Sequence, residues 1–171
     1  MICTARAVCR AYTLVEVLVV VVILGICASM ITPTMTGSQG LRVQAAVRTI
    51  VADITEMQSD ALAFQKGRAL VFHTDKNGYA TVEINGTSIN ETLDTLSTTT
   101  FNRDSFGDAK IAEVDFDDTS VLIFDELGSP VTTPGGGTPS SNGTITITGA
   151  GEKYQITVEA YTGRVSVKKI S

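Results

Sequence analysis

A carboxylate inside an apolar run is the first group in this sequence that could do chemistry. Glu16 stands within Tyr12–Ile31, YTLVEVLVVVVILGICASMI, where 16 of 20 residues are apolar. An acidic side chain at a bilayer centre costs about 2.5–3.5 kcal/mol by insertion scales. Glu16 therefore needs a cationic partner or a place at the interface, and the chemistry it offers is ion pairing. Other reactive groups are sparse. His73 is the sole histidine. A Ser-His-Asp triad would have to use it, and no nucleophile-elbow pattern accompanies it, so it reads as structural or exposed. Cys3 and Cys9 precede the apolar run, Cys27 lies within it, and none follows. The remaining 140 residues thus hold no disulfide, thiolate metal site or cysteine nucleophile. Gly135-Gly136-Gly137 runs into Thr138-Pro139 rather than Gly-Lys-Ser/Thr, so it is no phosphate loop.

Eight acids lie between Asp104 and Glu126, among them Glu113, Asp115, Asp117, Asp118, Asp125 and Glu126. Calcium favours clustered oxygens, but the spacing of a calcium-binding loop is absent. Alternation at 113, 115 and 117 fits the wet face of a strand better. No metal, no other cofactor and no enzyme activity is expected. Arg164, Lys168 and Lys169 make a small basic C-terminus in a chain of net charge -5. Phosphate contacts dominate affinity for nucleic acid, so this balance disfavours DNA as a partner.

The chain has 171 residues, of which 18% are charged, and a mean hydropathy of +0.21. That excludes a disordered chain and a strongly basic nucleic-acid binder. The apolar character is concentrated, because beyond Ile31 only 50 of 140 residues are apolar. Twenty helical residues rise about 30 Å, the thickness of a hydrocarbon core, so the run reads as a transmembrane helix. Arg6 and Arg10 precede it, and no Lys or Arg follows until Arg42. The asymmetry places the N-terminus in the cytoplasm and the bulk of the chain outside. A cleaved secretory signal would have a shorter core and a small-x-small site. A lipoprotein signal would need small residues before Cys27, where Gly25-Ile26 stands.

Pro33 should end or kink the helix. From Leu41 a new pattern begins: Val43, Val47, Ile50, Ile54, Met57, Ala61 and Phe64 recur in steps of four and three, which predicts one apolar stripe along a helix. Gly67 is the expected stop. Strands are then expected at Ala69–Thr74 and Tyr79–Ile84, joined through Asp75-Lys76-Asn77-Gly78. Further strands are expected at Ile111–Phe116, Val121–Phe124, Thr144–Thr148, Tyr154–Tyr161 and Val165–Ile170, with Thr132–Gly143 as a flexible low-complexity loop. The fold class is α+β: a long N-terminal helix, transmembrane in one half and amphipathic in the other, packed on antiparallel β-sheets.

Ala11-Tyr12-Thr13-Leu14-Val15-Glu16, behind two arginines and ahead of an apolar helix, resembles the processing motif of type IV prepilins. In that family Gly is commonest where Ala11 stands, and Phe where Tyr12 stands. The resemblance implies a cytoplasmic leader over 1–11, a transmembrane helix over 12–34, an amphipathic stem over 35–66 and a periplasmic β-rich domain over 67–171. A prepilin peptidase/N-methyltransferase would cut between Ala11 and Tyr12 and methylate the new amine of Tyr12. Glu16, with Thr13 and Leu14 of the motif, would serve assembly by pairing with a neighbouring subunit's N-terminal amine. Pro33 matches the family's helix-kinking proline.

Phe124-x3-Gly128-x-Pro130, the Thr144–Thr148 strand, and Tyr154-x-Ile156-x-Val158-x3-Thr162-Gly163-Arg164-Val165 resemble the soluble domain of the GspH/FimT family of minor pseudopilins and minor pilins. Thr162-Gly163-Arg164 is the most telling turn. The two resemblances imply a minor pseudopilin of a type II secretion system, held in the inner membrane and assembled near the tip of a periplasmic pseudopilus. Its partners would be other pseudopilins or pilins, the peptidase, an inner-membrane assembly platform and membrane lipid. The alternative is a FimT-like minor pilin acting in pilus initiation or DNA uptake. Some such pilins bind DNA through Gly-Arg-x-Arg, and Gly163-Arg164-Val165-Ser166 lacks the second arginine.

Overall fold

Residues 13–31 and 34–170 are described by a computed structural model. The chain divides into two units at Gly37–Ser38. In the first lies helix α1, Leu14–Ile31. Eleven large apolar side chains from Leu14 to Ile26 are 47–81% exposed on it. The helix has no polar face, which in a protein marks a segment meant for a hydrophobic surround. Its 18 residues rise about 27 Å, slightly less than a hydrocarbon core. Among the described residues no helix is long and apolar enough by itself to cross a membrane.

Helix α2 runs from Thr34 to Phe64, starting earlier than the sequence pattern at Leu41 because Gly37 and Gly40 are tolerated within it. In the second unit its stripe is the centre of the core: Val43, Ala46, Val47, Ile50, Ile54, Met57 and Ala61 are 0–4% exposed. Two expectations at its C-terminus are corrected. Phe64 does not join the core, and its ring lies 5.7 Å from the Arg68 guanidinium. The helix stops before Gly67, because Gln65 takes a left-handed conformation (φ 51°) and the Lys66 amide donates back to the Ala61 carbonyl.

Two antiparallel sheets pack on α2. The first has the order β3-β2-β1-β5-β6, from β1 (Arg68–Phe72), β2 (Gly78–Glu83), β3 (Thr95–Thr100), β5 (Val121–Phe124) and β6 (Pro130–Val131). The second has the order β4-β7-β8-β9, from β4 (Lys110–Asp115), β7 (Gly143–Gly149), β8 (Glu152–Val158) and β9 (Val165–Ile170). A short helix α3, Arg103–Phe106, is capped by Asn102, whose side chain accepts from the Ser105 amide. Arg42 donates to the Arg103 and Asp104 carbonyls, tying α2 to it.

In the first sheet β1, β2 and β5 are buried on both faces. Leu70, Phe72, Tyr79, Leu122 and Phe124 meet α2, while Ala69, Val71, Val82, Ile84 and Ile123 form two smaller clusters behind. The segment 132–143 is therefore not the free loop its composition suggests. Val131 bridges Pro139, the Ser140 amide donates to the Pro130 carbonyl, and Gly135 lies against Gly86. Strand β8 ends at Val158, and 159–164 form a wider turn than expected.

An ion-pair group closes one end of the core. Arg68 is 3% exposed and contacts Glu83 at 3.1 Å, while Lys66 donates to Glu83 at 2.5 Å. The hydrogen bond from Lys66 and the nearby charges of Lys66 and Arg68 hold the Glu83 carboxyl below its usual range. This contribution to stability is complete above the ordinary carboxylate pKa and is lost as pH falls through the lowered folded-state value. Glu83→Gln should flatten that part of the acid-unfolding curve followed by circular dichroism. An unchanged acid limb would show that the pair contributes nothing.

Candidate functional site

At the start of α1, Thr13 precedes the first helical residue, and its Oγ1 accepts from the Glu16 amide at 3.3 Å. Its carbonyl accepts from the amides of Glu16 and Val17 at 3.0 and 3.2 Å. Thr13-x-x-Glu16 is thus the spacing of a capping box, with the threonine hydroxyl satisfying an otherwise orphaned helix amide. Glu16 also sits in the first turn, where the helix dipole favours an anion. Leu14 and Val15, between them, are 81% and 68% exposed. The Glu16 side chain has no cationic partner among the described residues. One local motif therefore fixes where the helix begins and leaves a carboxylate beside a fully apolar cylinder. Ala11, Tyr12 and Pro33 lie outside the described residues.

The two glycine motifs of the second unit meet at one point on α2. Gly128 and Gly163 have φ of 72° and 65°, a region open to glycine. A Cβ on Gly163 would stand 2.5 Å from Gln58 Nε2, and one on Gly128 would stand 3.0 Å from Leu62. Gln58 Nε2 donates to the Gly128 carbonyl at 2.8 Å and the Thr162 carbonyl at 2.9 Å. Thr162, Gly163 and Arg164 thus form a docking turn held by a residue that sequence reasoning missed. Its only sequence signal was a glutamine beside the apolar stripe. Gln58→Ala should cost about 1–3 kcal/mol, because both carbonyls lose their donor. A urea titration checks it, and a change within error would show that water replaces the amide.

Arg164 is an exposed cation with one surface partner. It donates to the Glu159 carboxylate from Nε at 3.2 Å and from a terminal nitrogen at 2.8 Å. Four of the acids of 104–126 accept from backbone amides, Asp115 from that of Asp118. Asp125 accepts from the Leu127 and Ser129 amides, Asp117 from Ser141, and Asp108 from Ala150. Asp117 and Asp118 both have positive φ and make the tight turn after β4. Among the described residues no three His, Cys, Asp or Glu side chains converge as metal ligands would. His73 lies just past β1, where its amide donates to the Gly78 carbonyl and its carbonyl accepts from the Lys76 amide. Tyr79, buried in the core, donates to Asp53 at 2.5 Å. Burial first, and then this carboxylate, push its pKa above the usual phenol value, so it is a structural hydroxyl.

Residues 6–32 match the family model described as the prokaryotic N-terminal methylation motif. The minor pseudopilin EpsH from the type 2 secretion system of Vibrio cholerae superimposes with a TM-score of 0.50 at 10% identity, over 75% of this chain and 97% of that one. This chain is prepilin-like at its N-terminus and pseudopilin-like in fold. No curated protein matches the sequence. The motif ends at residue 32, whereas both sheets lie beyond it. At 10% identity the pseudopilin likeness is one of fold.

Proposed function

We propose that this chain is a minor pseudopilin of a type II secretion system, a structural subunit near the tip of a periplasmic pseudopilus that takes part in protein export. The observation that carries the reading is the exposed, predominantly apolar α1 with Glu16 in its first turn, on a chain with a pseudopilin-like fold. In this reading 1–11 is the leader, and a prepilin peptidase cuts between Ala11 and Tyr12 and methylates the Tyr12 amine. Residues flanking α1 complete the inner-membrane span over 12–34, with Pro33 as its kink. The globular domain is periplasmic. On assembly α1 leaves lipid for the packed helices of a filament, one apolar surround replacing another. Glu16 then faces the ammonium of a neighbour's Tyr12, which neutralises both charges in correct register.

The net charge of -5 and the serine at 166, where a second arginine would stand, favour secretion over DNA uptake. Deleting the chain in its producing cell should block export of secretion substrates and leave DNA uptake unchanged. Normal export with lost DNA uptake would favour a minor pilin and overturn this reading.

A further inference from the structure

An apolar groove of about 750 Å³ runs between α2 and β9, lined by Arg48, Val51, Ala52, Thr55, Tyr154 and Val167 among others. It lies beside β9, which is the edge strand of its sheet. Val167 faces the groove and is 47% exposed, although its neighbour Val165 packs on the core.

The other sheet edges are blunted. On β4 the register breaks between Ile111 and Glu113, the Ile111 amide donates to the Lys76 carbonyl, and Lys76 Nζ donates to the Ala112 carbonyl at 2.7 Å. Strand β6 is two residues long and is bridged to Pro139. Strand β3 is exposed along most of its length, and its pairing shifts at Thr81/Val82. Only β9 offers six residues in unbroken register with β8, with an apolar trough beside its free edge.

We infer that β9 is a docking edge for an extended, acidic segment of a different protein, which adds a fifth strand to this sheet and covers the α2 groove. Main-chain hydrogen bonds to a free edge supply affinity, and alternate side chains supply specificity. Charge selects the occupant. Arg48 on the groove wall and Lys168 on β9 have no ion-pair or hydrogen-bond partner among the described residues. Lys169 is held by Glu152, and Glu56 is the lone acid of the lining. A strand with apolar residues toward Val51 and Val167, and acids between them facing Lys168, meets both demands.

A second copy fits poorly. A β9–β9 pair would bring four lysines to one seam and no acid to meet Arg48 or Lys168. The acidic edge strand β4 of another copy is already plugged by Lys76. The site does not depend on N-terminal processing or on Glu16, so it and the assembly reading can fail separately.

The test uses the full chain in detergent micelles and two probes, the peptides acetyl-EVEVEVE-amide and acetyl-KVKVKVK-amide, with amide hydrogen exchange as the readout. The acidic peptide should slow exchange of β9 amides that face away from β8 by at least about tenfold, and the basic one should not. Arg48→Glu with Lys168→Glu, both on the surface, should reverse the preference. Equal protection by both peptides, protection by neither, or protection that rises with protein concentration alone would overturn the inference, the last in favour of a second copy.

Discussion

Replacing Glu16 with Ala is expected to cut incorporation of the chain into filaments at least about tenfold while cleavage at Ala11–Tyr12 continues. The apolar residues of α1 supply adhesion without direction, because any sliding of one apolar cylinder past another preserves most of its contact area. Glu16 is the exception within the helix, a point charge whose cost depends on axial position. Breaking a buried charge pair by deleting one partner costs about 3–5 kcal/mol, and about 1.4 kcal/mol already corresponds to a factor of ten. The cap at Thr13 complicates the reading, since Glu16 also belongs to a capping-box spacing. Glu16→Gln separates the two roles. It keeps a side chain able to complete the box but removes the charge, so it should fail to assemble as Ala does. Filament incorporation equal to wild type in Glu16→Gln would assign the residue to capping alone.

The second large effect lies in the globular unit. Phe124→Ala should destabilise it by about 3–5 kcal/mol, the usual range for emptying a buried aromatic site. Against a typical domain stability of about 5–15 kcal/mol, this lowers the thermal midpoint by more than about 10 °C. Phe124 is 0% exposed in the core, and its ring edge stands 3.2 Å from where a Gly163 Cβ would be. Its carbonyl lies 3.4 Å from the corresponding point on Gly67. Little can collapse into the space, because glycines already make these approaches. Thermal denaturation followed by circular dichroism checks the figure. A shift of a degree or two would mean that Gln58 and its two turns move in to refill the site.

These two positions also show what could be read in advance. Glu16 was legible because a charge in an apolar run violates the local pattern, and Phe124 because it ends a short apolar strand before a glycine turn. The stripe from Val43 to Ala61 was legible for the same reason, since helical period and burial coincide there. What stayed hidden depends on distance or on the lack of contrast. Gln58 bonds carbonyls 70 and 104 residues away, which no window along the chain reports. Strand β3, Thr-Leu-Ser-Thr-Thr-Thr, is exposed over most of its length and shows no alternation to detect. Residues 132–143 have the composition of a loose loop, yet one bridge and a few backbone hydrogen bonds fasten them. The basic edge at β9 was visible as charge, but the groove beside it exists only once α2 and the second sheet are assembled.

The central claim is that this chain matures as a prepilin does before its helix enters a filament. Intact-mass spectrometry of the protein extracted from the membranes of its producing cell tests that claim most directly. A chain beginning at Tyr12 and carrying one added methyl group on its amine is the predicted result. A chain that still begins at Met1 would contradict the account.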